Sequence, residues 1–163
     1  MTSLELKMIM KEFHHKKIAV VSGGFDPLHP GHVFMFQEAK RHGELLVAGV
    51  NSDDWLKRKK GRPFMEFGDR LQMVQTNQFV DLAVGFEDDD DTAIDLIYKV
   101  SKIFSSSYIV FCNGGDRALD NTPEFNHFDG DSRFLFEFGV GGSYKYASSS
   151  ELLENWKLAP LAE

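Results

Sequence analysis

A single cysteine, Cys112, in 163 residues leaves no partner for an internal disulfide and fits a reducing compartment. Long apolar runs are missing too, and none approaches the roughly 20 residues of a membrane-spanning helix. The opening "MTSLELKMIMKEFHHKK" lacks the apolar centre and cleavage site of a secretory signal, so a cytoplasmic location with no membrane partner is expected. An excess of basic residues is also absent: a net charge of −7 argues against a surface that neutralises many nucleic-acid phosphates, and no nucleic-acid partner is expected. No internal repeat, low-complexity tract or linker divides the chain. Its length predicts one domain, residues 1–163, with residues 1–16 as an N-terminal extension. Hydrophobic residues at 42% and aromatics at 13% exclude a disordered class.

What is present alternates. The segments "KKIAVVSG", "ELLVAGVN", "DLAVGF", "SSYIVFCN" and "RFLFEFGV" are short, β-branched and aromatic runs, and the first four are nearly continuous in apolar residues, as suits strands covered on both faces. Helical patterns over residues 31–42, 69–79 and 92–104 separate them, and "SSELLENWKL" closes the chain. This order predicts an α/β fold, a Rossmann-like parallel five-stranded sheet with helices on both faces. Ligands of such sheets lie at the carboxyl ends of the strands, so the segments after each strand are where chemistry is sought.

After the first strand stands "GGFDPLHPGH". It has neither the Gly-x-Gly-x-x-Gly spacing of a dinucleotide turn nor the Gly-Lys-Ser/Thr ending of a P-loop. It still runs strand, glycine-rich turn, helix, and a helix start favours an anion. His29 and His32, three residues apart across the turn, can face one point, as two donors would where negative charge grows in a transition state. A zinc site is the alternative, with Asp26 and Cys112 as further ligands, but no third ligand stands beside the histidines in a recognised pattern.

Three later segments carry further candidates. The basic run "KRKKGR", residues 57–62, reads either as a solvated turn or as a local anion clamp. "CNGGDR" follows the fourth strand, and its glycines permit close approach of backbone to ligand. "SSSE", from Ser148 to Glu151, is a Ser-x-x-Glu capping box and equally an anion-binding helix start. The acidic run "EDDDD", residues 87–91, is expected to serve the positive end of the helix that follows rather than a metal ion.

"GFDPLHPGH" resembles the HxGH signature of the cytidylyltransferase-like nucleotidyltransferases, which join a nucleoside triphosphate to a phosphorylated substrate and release pyrophosphate. The resemblance implies that His29 and His32 stabilise the α-phosphate, with Gly23, Gly24, Phe25, Asp26 and Gly31 forming the nucleotide-binding turn. "VNSDDWLKRKKGRPFMEFGDR" is similar to the matching segment of the adenylyltransferase domain that makes ADP-heptose, and of glycerol-3-phosphate cytidylyltransferases. That likeness implies phosphate-holding roles for Lys59 and Arg70. It further implies that Gly115 and Asp116 contact the nucleotide, that Ser148, Ser149 and Ser150 cradle its phosphates, that Mg2+ enters with the triphosphate, and that the chain forms a homodimer.

One departure stands out. Cytidylyltransferases usually carry an arginine just before the serine-threonine segment, whereas this chain reads "GGSYKYASSS", with Lys145 as the available substitute. The expected activity is transfer from CTP or ATP to a phosphorylated sugar or polyol. The rival expectation is a catalytically silent nucleotide-binding regulator of the same fold.

Overall fold

The structure, a computed structural model, describes residues 2–115, 117–142 and 148–158. Five strands, β1 (Lys17–Gly23), β2 (Leu45–Val50), β3 (Leu82–Gly85), β4 (Tyr108–Asn113) and β5 (Phe134–Phe138), form one sheet in the order β3-β2-β1-β4-β5, with every pairing parallel. Each lies within the run that predicted it.

The continuous apolar strands are explained by what covers them. Side chains alternate between the faces of a strand, so Ala19 and Val21 of β1 join one buried cluster with Phe36, Leu46, Val74 and Cys112. Ile18 and Val20 join another with Val47, Leu96, Ile97, Val100 and Phe111. Helices α2 (Pro30–Ala39) and α4 (Phe67–Gln75) supply the first cluster, and α5 (Ile94–Ile103) supplies the second. The sheet is thus a middle layer, as the fold expectation required.

Three helices lie where none was expected: α1 (Ser3–Glu12), α3 (Asp53–Lys60) and α6 (Pro123–Phe128). The "KRKKGR" segment is therefore no turn. Ser52 caps α3 by accepting from Trp55 N at 3.0 Å, and Gly61, at φ 86°, ends it. The acidic run also serves a different helix from the one expected. Buried Asp88 accepts from Asn51 Nδ2 at 3.0 Å, Ser52 N at 2.7 Å and Ser52 Oγ at 2.7 Å, so it fastens the start of α3. Asp91 pairs with Arg58 and Lys59 near its end. Residues 94–103 take their own first-turn acid from Asp95. The last helix, α7 (Ser149–Leu158), coincides with "SSELLENWKL". Among the described residues no helix is long and apolar enough to cross a membrane.

The chain winds outward from β1 to β3, then crosses to β4 and β5 on the other side. This reversal opens a crevice between the carboxyl ends of β1 and β4, the place where open α/β sheets bind ligands.

Candidate active site

A cavity of about 610 Å³ fills that crevice. The ends of β1 and β4, the start of α2, the end of α3 and the start of α7 all reach it, bringing together Gly23, Phe25, His29, Gly31, His32, Lys60, Asn113, Gly115 and the three serines.

The histidines are oriented by backbone. His29 is the N-cap of α2, its Nδ1 accepting from Gly31 N at 3.1 Å, while His32 Nδ1 accepts from His29 N at 3.3 Å. Together they form a capping box in which imidazoles take the places usual for serine and glutamate. A neutral imidazole whose Nδ1 accepts carries its proton on Nε2, so each ring is left with an Nε2–H donor. The rings stack at 3.8 Å between centroids. Burial, the neighbouring His29 and the Lys60 ammonium push His32 down to about 3, and burial followed by Lys60 also lowers His29. At neutral pH the pair is uncharged in the ligand-free chain, a pair of fixed dipolar donors.

Phe25 backs this arrangement. The residue is 2% exposed, its ring stands edge-on to His32 with 5.1 Å between ring centroids, and its backbone is held at φ 49°, a left-handed conformation that costs a non-glycine residue on the order of 1–3 kcal/mol. The buried ring offsets that strain. Asp26, also buried, accepts from Phe64 N and Met65 N at 2.7 Å each, so its carboxylate fastens the segment after α3 beneath the motif. Gly24 sits against α3: a Cβ there would lie 2.9 Å from Leu56 Cδ2.

The structure separates the cations that the sequence grouped. Lys57 pairs with Asp54 at 2.7 Å, Arg58 with Asp91 at 3.3 Å, and Lys59 with Asp91 at 3.2 Å. Lys59 lies on the outer side of α3, away from the cavity. Lys60, one residue on, reaches in and donates to Asp26 O at 3.2 Å. Burial pulls its ammonium below the ordinary lysine range, and Asp26 opposes the shift.

Arg70 likewise takes a place other than the phosphate-holding one. It is fully buried and donates to Met65 O at 3.0 Å, Gly24 O and Asn51 O at 2.8 Å each, and Asp53 Oδ1 at 2.6 Å. Its guanidinium ties the loops after β1 and β2 to α4, and it positions the cavity floor without lining it.

At the far wall, Ser148 Oγ accepts from Glu151 N at 3.1 Å while the Glu151 carboxylate accepts from Ser148 N at 2.7 Å, the expected capping box. Ser149 Oγ donates to Pro27 O at 2.9 Å, docking the start of α7 onto the histidine turn. Gly115, at φ 65°, lines the rim. Asp116 and Lys145 lie outside the described residues.

Sequence reasoning missed Lys60, although helical phase would have found it: Lys60 follows buried Leu56 by four residues and shares its inward face, whereas Lys59 is rotated by about 100°. It also missed Asn113 and Glu124, both buried in the cavity wall. Cys112 lines the cavity with its thiol pushed up to about 12 by burial and then by Glu137, which keeps it protonated and a poor nucleophile. Among the described residues no group of three or more histidine, cysteine or carboxylate side chains could hold a metal ion.

Residues 20–155 match the family described as Cytidylyltransferase-like. The bifunctional protein HldE of a Nitratiruptor species is 39% identical over 116 residues, which is 69% of this chain and 23% of that protein. HldE of Actinobacillus succinogenes is 35% identical over 74% of this chain and 28% of its own length. The chain thus spans about a quarter of these curated relatives. Among solved structures, a lipopolysaccharide core biosynthesis protein from Thermoplasma volcanium GSS1 superposes with a TM-score of 0.55 at 19% identity, covering 76% of this chain and 93% of that one. A protein described as a nicotinate-nucleotide adenylyltransferase from Vibrio parahaemolyticus gives 0.60 at 14% identity, covering 85% of each chain. These two likenesses speak for the fold. The family match over most of the chain, on a cavity built around the paired histidines, makes this chain a nucleotidyltransferase of the cytidylyltransferase-like family.

Proposed function

We propose that the chain transfers a nucleotidyl group from ATP or CTP to a phosphorylated sugar or polyol. The observation that carries this reading is the stacked histidine pair, oriented through both Nδ1 atoms and flanked by Lys60. An oxygen of the acceptor phosphate attacks the α-phosphorus, the bond from that phosphorus to the bridging oxygen breaks, and pyrophosphate leaves with that oxygen. His29 and His32 donate from Nε2 to the α-phosphate oxygens as charge shifts onto them. Lys60 adds a positive charge at the cavity edge, beside the histidines, where it faces the phosphates. The positive ends of α2 and α7 favour the phosphates from either side.

Gly23, Gly24, Phe25, Asp26 and Gly31 shape the nucleotide turn, with Asp26 and Arg70 positioning it rather than touching phosphate. Asp116 stays assigned to the nucleotide by resemblance. Magnesium, when it enters, is carried by triphosphate oxygens and water, since the described residues offer it no cage. The likeness to the ADP-heptose-forming adenylyltransferase favours ATP, and a homodimer belongs to the same reading.

Pyrophosphate release, assayed with ATP and CTP against a panel of sugar and polyol phosphates, tests the proposal. Turnover of at least one pairing is expected. Nucleotide binding with no turnover of any pairing overturns it in favour of a silent regulator.

A further inference from the structure

On the α5–α6 side of the cavity, two buried polar atoms have no hydrogen-bond partner: Asn113 Nδ2 and Glu124 Oε2. Asn113 ends β4 and shares strand parity with Phe111, so it faces the layer that holds α5 and α6. Glu124 lies in the first turn of α6, is 2% exposed, and uses its other oxygen, Oε1, to accept from Ala93 N at 2.7 Å at the start of α5. Both residues line the same cavity as His29 and His32. Native proteins seldom leave such atoms unpaired, and an atom of this kind in a cavity wall is met by water, an ion or a ligand.

A free donor and a free acceptor in one wall restrict what can sit there. A phosphate would satisfy Asn113 but be repelled by the Glu124 carboxylate. An ammonium would satisfy Glu124 but leave Asn113 unpaired, and Arg117 Nη1 already lies 3.8 Å from Glu124 Oε2. An apolar group would satisfy neither. A hydroxyl both donates and accepts.

We propose that Asn113 and Glu124 form a hydroxyl-reading subsite, taking the hydroxyls of the nucleotide ribose or those of the phosphorylated acceptor. The inference rests on the nucleotidyltransferase reading, with the subsite adding specificity to the same cavity. A substrate without the matching hydroxyl leaves both protein atoms without a hydrogen bond, the kind of loss that discriminates strongly between analogues.

The test is binding calorimetry, which does not depend on turnover. One arm titrates ATP and CTP against their 2′-deoxy and 3′-deoxy forms. The other titrates glycerol 3-phosphate and hexose phosphates against their deoxy analogues, with a non-cleavable nucleotide present. Glu124→Gln retains an oxygen for Ala93 N and turns only the free acceptor into a donor, and Asn113→Asp makes the converse change. Thermal midpoints check folding of both.

Each variant is expected to weaken a hydroxylated ligand tenfold or more and its deoxy analogue less than twofold. Loss in the first arm assigns the subsite to ribose, and loss in the second assigns it to the acceptor. Equal losses for hydroxyl and deoxy ligands, or wild-type affinity throughout, would overturn the subsite. Absence of pyrophosphate release with this hydroxyl dependence intact would instead overturn the transfer reaction alone.

Discussion

Two helix ends meet the same cavity and were read from sequence with opposite results. At the start of α2, His29 and His32 sit within four residues of each other, and backbone N–H groups of the same turn fix both rings. At the end of α3, residues 57–60 are all cations, yet Lys57 pairs with Asp54 within the helix, Arg58 and Lys59 turn to the acidic run some thirty residues away after β3, and only Lys60 of the four reaches the cavity. Where local hydrogen bonds orient a side chain, a short motif carries its geometry. Where helical phase and distant acids decide, charge in the sequence does not reveal direction.

The contrast can be pressed experimentally. His32→Ala removes an oriented donor from the reacting centre and is expected to lower kcat by about a hundred- to a thousandfold with little change in nucleotide affinity. Steady-state kinetics with titrations of bound nucleotide check both halves. Arg70→Ala strips three carbonyls and Asp53 of a buried partner, which predicts a loss of about 3 kcal/mol in stability, measured from the urea midpoint. A variant that unfolds at the wild-type midpoint but binds phosphates weakly would return Arg70 to the phosphate-holding role.

Lys60→Ala is expected to cost about ten- to a hundredfold in kcat/KM, from a lost charged contact, while Lys59→Ala stays within about threefold. Equal effects would erase the distinction between neighbouring lysines. A separate effect concerns pH. His32 has a folded value of about 3 against an ordinary 6.5, so the unfolded chain takes up the proton first as pH falls. Its contribution to stability is complete above 6.5 and is lost on acidification towards 3, at up to about 1.4 kcal/mol per pH unit. Urea midpoints across that window should fall more steeply for the wild type than for His32→Gln.

The sheet was legible because burial on both faces leaves so few polar residues in β1, β2 and β4. Helix α3 was not, since "DDWLKRKK" buries only Leu56 and shows no apolar stripe. Helix α6 is six residues long and hides Glu124, a residue whose burial follows from its bond to Ala93 and not from any pattern around it. Arg70 was visible as a cation but not as a buried one, because the three carbonyls it satisfies come from segments that only the fold brings together.

The central claim is that the oriented histidines carry nucleotidyl transfer. Following the α-phosphate of radiolabelled ATP and CTP into a sugar or polyol phosphate, in the wild type and in His32→Ala, tests it most directly. Label in the acceptor product is expected for the wild type, with at least a hundredfold slower transfer for a variant that still binds nucleotide. Transfer at the wild-type rate in His32→Ala would contradict it.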